Sequence, residues 1–139
     1  MGIVHAEIEL INADDLALVR RNKLGKDEVK HMLVSMLVDT GAYIMRINET
    51  IQQQMQLPFI EKRKAVLANG SIEEYDVVGP IVVKFKNRTA TCNAFVLKGD
   101  TEPLLGAIPM EEMDVLIHPL RQELIVNPEH PYFAQLKTK

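Results

Sequence analysis

The sequence predicts a mainly β fold in a single domain, with two or three short helices. Three observations carry this reading. Apolar and polar residues alternate over residues 3–11, 81–86 and 89–97, the period of strands buried on one face. Asn69-Gly70 sits between two further runs, and Asn-Gly between apolar runs is the strongest short hairpin signal. No repeat of solenoid period and no alternation of strands with long helices competes with them.

Composition sets the outer limits. At 139 residues, one domain over 1–139 is the default, and it can bury about two-thirds of its extended-chain surface. Hydrophobic residues make up 47% and charged residues 25%, ordinary for a globular protein. The net charge of -3 is scattered in both signs, with no basic block, so nucleic acid is not an expected partner. No apolar run approaches a membrane span, so no membrane partner is expected. Residues 1–7 lack a basic stretch leading into an apolar one, so no signal peptide is read and a cytoplasmic location is expected. Cys92 is the single cysteine, which excludes an internal disulfide; in its alternating run it reads as a small buried hydrophobe.

In chain order, residues 3–11 read as a half-buried strand. Asn12 or Asp14 can cap a short helix at Ala13–Arg20, in a charged stretch broken by Gly25. Residues 30–38 become steadily more apolar, a strand entering the core. After Tyr43, Ile44, Met45 and Ile47, Asn48 can cap a helix from Glu49 to Gln56. Ile51 and Met55 then share one face, and Leu57-Pro58 closes it. Residues 64–67 and 72–78 form the arms of the Asn-Gly hairpin. Gly79-Pro80 is expected to break the chain before strands 81–86 and 89–97, joined by Asn87-Arg88. Leu104-Leu105-Gly106 is a short buried run, Pro109 starts a helix through Leu116, and Leu124-Ile125-Val126 is a last strand before a loop-like tail.

The chemistry concentrates at Asp39-Thr40-Gly41-Ala42, immediately after the apolar strand. A carboxylate there stands on a tight turn at the rim of a core. Gly41 permits close backbone approach and can donate its amide to the carboxylate. Thr40 offers a hydroxyl on a stiff side chain, suited to fixing the turn. Taken alone, Asp-Thr-Gly is an ordinary turn composition. Two such carboxylates a few ångströms apart are different, because they cannot both ionise and so share one proton. Other candidates are weaker. His5, His31, His118 and His130 lack metal-ligand spacing, and no metal site is expected. Glu111, Glu112 and Asp114 read as a solvated helix face. No phosphate-cradling glycine loop is present, and no cofactor is expected.

The order of features resembles the retropepsin-like aspartic proteases, a family that includes the retroviral enzymes and small bacterial relatives. Met36-Leu37-Val38-Asp39-Thr40-Gly41-Ala42 matches the apolar lead into its catalytic turn. Residues 64–78, with Val66, Leu67, Ala68, Asn69, Gly70 and Ser71 at the tip, match its flap, and Leu104, Leu105 and Gly106 match its second apolar-Gly element. The likeness spans residues 30–126. It implies a closed-barrel-like acid-protease fold, with Asp39 as the catalytic aspartate, Thr40 gripping its counterpart and Gly41 supporting the carboxylate. It further implies a homodimeric endopeptidase acting on a peptide or protein substrate, since this chain holds one such aspartate and a dyad needs two. The sequence departs from the retroviral pattern at Tyr43, at Ala107 in place of the usual Arg, and in its longer stretch before Asp39. The rival expectation is a non-catalytic module of the same fold, binding extended peptide by strand addition or serving oligomerisation.

Overall fold

The computed structural model describes residues 3–136; residues 1, 2 and 137–139, the ends of the expected domain, lie outside it. Strand β1 (His5–Asn12) runs directly into helix α1 (Ala13–Arg20). Asn12 is the reason for the change. Its side-chain oxygen accepts from the Asp15 amide at 3.0 Å, capping the helix, while its amide group donates to Met55 O at 3.0 Å. One buried side chain thus caps α1 and satisfies a carbonyl at the end of α2 (Glu49–Met55). A 3₁₀ turn at Lys26–Glu28 leads to β2 (His31–Val38), and β3 (Met45–Asn48) enters α2. Asn48 caps that helix by accepting from the Ile51 amide at 2.8 Å, and Ile51 and Met55 are buried as their spacing predicts.

Several boundaries differ from expectation. The hairpin arm β4 (Phe59–Val66) starts earlier, and β5 (Ile72–Phe85) runs unbroken through Gly79-Pro80. A register shift between Val78 and Ile81 against β6 (Arg88–Leu97) takes the Gly-Pro pair out of the ladder, so the strand bends there without ending. After the two-residue strand β7 (Leu104–Leu105), helix α3 (Ala107–Met113) begins two residues before Pro109 and stops short of Leu116. It stops because Asp114 adopts a left-handed φ of 56° and its amide turns back to Glu111 O and Met110 O. Residues beyond it form β8 (Val115–His118), paired antiparallel with β9 (Glu123–Val126).

The large sheet has the order β1-β2-β7-β3-β6-β5-β4, and β1 also pairs with β5. Six strands therefore close a ring of pairings, with β4 hanging outside as the outer strand. The ring gathers its inward residues, among them Ile8, Leu10, Met36, Ile47, Ile81, Val83 and Leu105, into one core cluster. Met110 and Met113 of α3 and Leu124 of β9 complete it. The result is one small, mainly β domain. Among the described residues, no helix is long and apolar enough to cross a membrane.

Candidate active site around Asp39

Strand β2 delivers Asp39 to the rim of this core. The neighbouring backbone is held on both sides, since Val38 N donates to Val4 O at 2.8 Å and Asp39 N donates to Leu105 O at 3.1 Å. Leu37 and Val38 pair in parallel with Leu104 and Leu105, while Arg46 of β3 pairs with Leu104 from the other side. The two elements singled out in the sequence, Asp39–Ala42 and Leu104–Gly106, are thus adjacent although distant along the chain, because β7 pairs directly with β2.

The turn itself is closed by its own carboxylate. Gly41 N donates to Asp39 Oδ1 at 2.9 Å, and Ala42 N donates to Asp39 O at 3.3 Å. Thr40 is exposed, and these backbone amides, rather than its hydroxyl, close the turn. Ala42 O then accepts from Ala107 N at 2.7 Å, and Tyr43 O accepts from Ile108 N at 3.2 Å. Two amides in the first turn of α3, which have no partner within the helix, therefore hold the segment following Asp39.

Gly106 makes this contact possible. A Cβ there would lie 2.7 Å from Tyr43 O and 2.9 Å from Ala42 O, both backbone atoms that cannot swing aside. Gly106→Ala is expected to cost about 1–3 kcal/mol and to loosen the Asp39 turn. Urea unfolding measures the cost, and Gly41→Ala is the milder comparison because its Cβ meets only Asp39 Oδ1, at 3.2 Å. Equal stabilities for the two variants would contradict this account of the packing.

Asp39 is half-buried beside an open groove of about 700 Å³. Ile3, Val4, Leu37, Val38, Ile117 and Pro119 supply its apolar wall, and among the described residues Asp39 is the one acidic or basic residue lining it. Ile3 and the nearby Leu120, at the β8–β9 turn, are 77% and 89% exposed. Tyr43 is also exposed, at 74%, so its ring does not fill the core side of the site. A single carboxylate in this setting can take or hold one proton. It cannot both activate water and protonate a leaving group at the same moment.

The hairpin forms, with a turn different from the two-residue type that Asn-Gly suggests. Leu67 N donates to Ser71 O and Gly70 N donates to Leu67 O, giving a three-residue loop with Gly70 at φ 85°. Asn69 is not in the left-handed region; its side chain accepts from Ser71 N at 2.9 Å and so rigidifies the loop. Val66 and Ile72, paired across the tip, are 74% and 64% exposed. Lower down, Tyr75 stacks on Phe95 with ring centroids 5.3 Å apart. Arg63, directly across from Tyr75, and Val77 nearer the base line a cavity of about 130 Å³ together with Ile44, Ile108 and Pro109. The hairpin base therefore meets the segment after Asp39, while the tip stands in solvent.

Sequence reasoning missed a second polar centre. Arg88 is 1% exposed at the start of β6, where the sequence suggests a turn between two strands. Its guanidinium donates to Met113 O at 3.2 Å and to His130 O, and lies 3.7 Å from Asp114 Oδ2. Asp114, expected on a solvated face, caps α3 instead. Its signal was faint: an Asp just past an apolar helix, with Asn127 and His130 following. Cys92 is half-buried, and burial, reinforced by the Glu112 carboxylate, pushes its thiol up to about 12, which leaves it unreactive. Among the described residues, no group of three His, Cys, Asp or Glu is placed to hold a metal ion.

No protein-family model matches the chain, and no curated protein matches its sequence.

Proposed function

We propose that the chain is a retropepsin-like aspartic peptidase subunit, and that its active form is a homodimer with one Asp39 from each copy. The observation that carries this reading is the docking of the Asp39–Ala42 turn on Leu104–Gly106, with Gly106 too close to Tyr43 O for any side chain. Supporting it are the amide held by the Asp39 carboxylate, the groove beside it, and a hairpin whose base meets the same segment. In such a dimer the ionised Asp39 takes a proton from water as the water attacks a peptide carbonyl. The protonated Asp39 hydrogen-bonds the carbonyl oxygen, and a proton then passes to the leaving nitrogen. The β4–β5 hairpin would close over the peptide and exclude water, its exposed Val66 and Ile72 supplying apolar cover.

Sedimentation at micromolar concentration tests the assembly. The expected mass is twice the 15.7 kDa chain mass. A strict monomer at every concentration removes the dyad and with it the peptidase reading. The outer edge of β4, which pairs with no strand among the described residues, favours a second reading, in which the fold binds extended peptide by strand addition without cutting it. Peptide binding by a monomer, without products, would select that reading.

A further inference from the structure

We propose that residues 127–136 form a strap latched by Asp114, and that this latch steadies the Asp39 turn through α3. The inference stands apart from the peptidase reading, because it concerns how the turn is held whatever the turn does.

Asp114 is the convergence point. Its Oδ1 accepts from the Asn127 side-chain amide at 3.1 Å. Its Oδ2 accepts from Gln135 N at 3.0 Å and lies 2.6 Å from His130 Nδ1. Its main-chain oxygen accepts from Asn127 N at 3.1 Å. One side chain thus holds the strap at its beginning, middle and end. Arg88 adds a second attachment from β6, donating to His130 O, and the Asn87 side chain donates to Pro131 O at 3.1 Å. Both attachments reach the strap's backbone, so they survive changes in its side chains.

The strap has little else to hold it. Tyr132 and Phe133 are 80% and 83% exposed, and Leu136 is 53% exposed, so apolar burial contributes little over this stretch. A segment fixed by a few polar contacts opens locally at low cost. Asp114 is also the residue that ends α3, and α3 is a seven-residue strut whose other end donates Ala107 N and Ile108 N to Ala42 O and Tyr43 O. Met110 and Met113 of this strut are buried in the core, so its two ends are joined by about a turn and a half of packed helix. Releasing the strap frees the C-terminal end of the strut whose N-terminal end holds the Asp39 turn.

The groups facing the Asp114 carboxylate are Arg88 from β6 and His130 from the strap. Burial raises the carboxyl, but the Gln135 amide, the Asn127 side chain and His130 outweigh it and hold it at about 2. A carboxyl depressed in this way contributes its full share above the ordinary 3.8 and loses it as pH falls through about 2. The latch therefore persists through mildly acid conditions and releases only in strong acid.

Hydrogen exchange read residue by residue on the full chain tests the proposal, with Asp114→Asn compared to wild type. The Gln135 amide, which donates to the Asp114 carboxylate, is expected to exchange about tenfold faster or more, the loss typical of hydrogen bonds to a charged group, and the Asn127 and His130 amides, held by backbone oxygens of Asp114 and Asn127, are expected to speed up as the strap opens. Ala107 and Ile108 are expected to speed up with them, while the β1–β2 ladder is unchanged. Should Asp114→Asn fail to fold, Gln135→Pro decides the matter, because it deletes one strap donor and leaves Asp114 and Arg88 intact. An unchanged strap in the decisive variant overturns the latch. A loosened strap with unmoved Ala107 and Ile108 overturns the coupling to the Asp39 turn.

Discussion

Asp39→Asn is expected to abolish peptide cleavage, by at least about 10²–10⁴-fold, while leaving the fold intact. The size follows from the role. In the proposed dyad each Asp39 does a job that needs a removable proton, and an amide has none. The preserved fold follows from geometry. Asn keeps an oxygen where Asp39 Oδ1 now accepts from Gly41 N at 2.9 Å, and the change alters no volume at the rim of the core. In a dimer it also removes the repulsion between two carboxylates, so the melting temperature should hold or rise. Digestion of a denatured protein mixture across acid and neutral pH, followed by mass spectrometry of the products, measures the effect. Equal cleavage by variant and wild type would make Asp39 a turn residue and nothing more.

Arg88→Ala is expected to destabilise the protein by about 3–5 kcal/mol, the cost of breaking a buried charge pair from one side. Three effects act together. Met113 O and His130 O lose their donor, Asp114 loses the guanidinium 3.7 Å from its carboxylate, and a cavity opens where a fully buried side chain stood. The melting temperature should fall by about 10 °C or more for a domain of this length. The exposed pair Lys62–Asp76, with side chains 60% and 49% exposed, gives the contrast, since an ion pair in water contributes little and Lys62→Ala should leave the melting temperature nearly unchanged. If Arg88→Ala and Lys62→Ala unfold together, the buried cluster does not hold the C-terminal half in place. In the double variant Arg88→Ala with Asp114→Ala, the losses should add to less than their sum, because each already removes the other's partner.

These two residues also mark what was legible in the sequence. The turn at Asp39 was legible because its signal is local: an apolar strand, then three turn-forming residues in a row. The capping asparagines Asn12 and Asn48, the hairpin, and the short apolar run ending in Gly106 were legible for the same reason. Each is a pattern spanning a handful of adjacent residues, and the strands and helices they predict are present. Arg88 was not legible, because its partners Met113 and His130 lie 25 and 42 positions away and nothing near it in sequence marks a buried charge. The path of β5 through Gly79-Pro80 was missed because a bulge opposite β6 accommodates what looks, in one dimension, like a break. Likewise α3 ends early because Asp114 adopts a left-handed φ and turns its amide back to Glu111 O and Met110 O, which Pro109 as a helix start does not encode.

The pairing of two Asp39 residues is the central claim, and the distance between their carboxylates in the assembled protein tests it most directly. A crystal structure of the protein in its solution oligomer supplies that distance. The account predicts a two-fold axis beside the Asp39 groove and carboxylates within hydrogen-bonding range of each other. An assembly that keeps every Asp39 apart from its counterpart would contradict it.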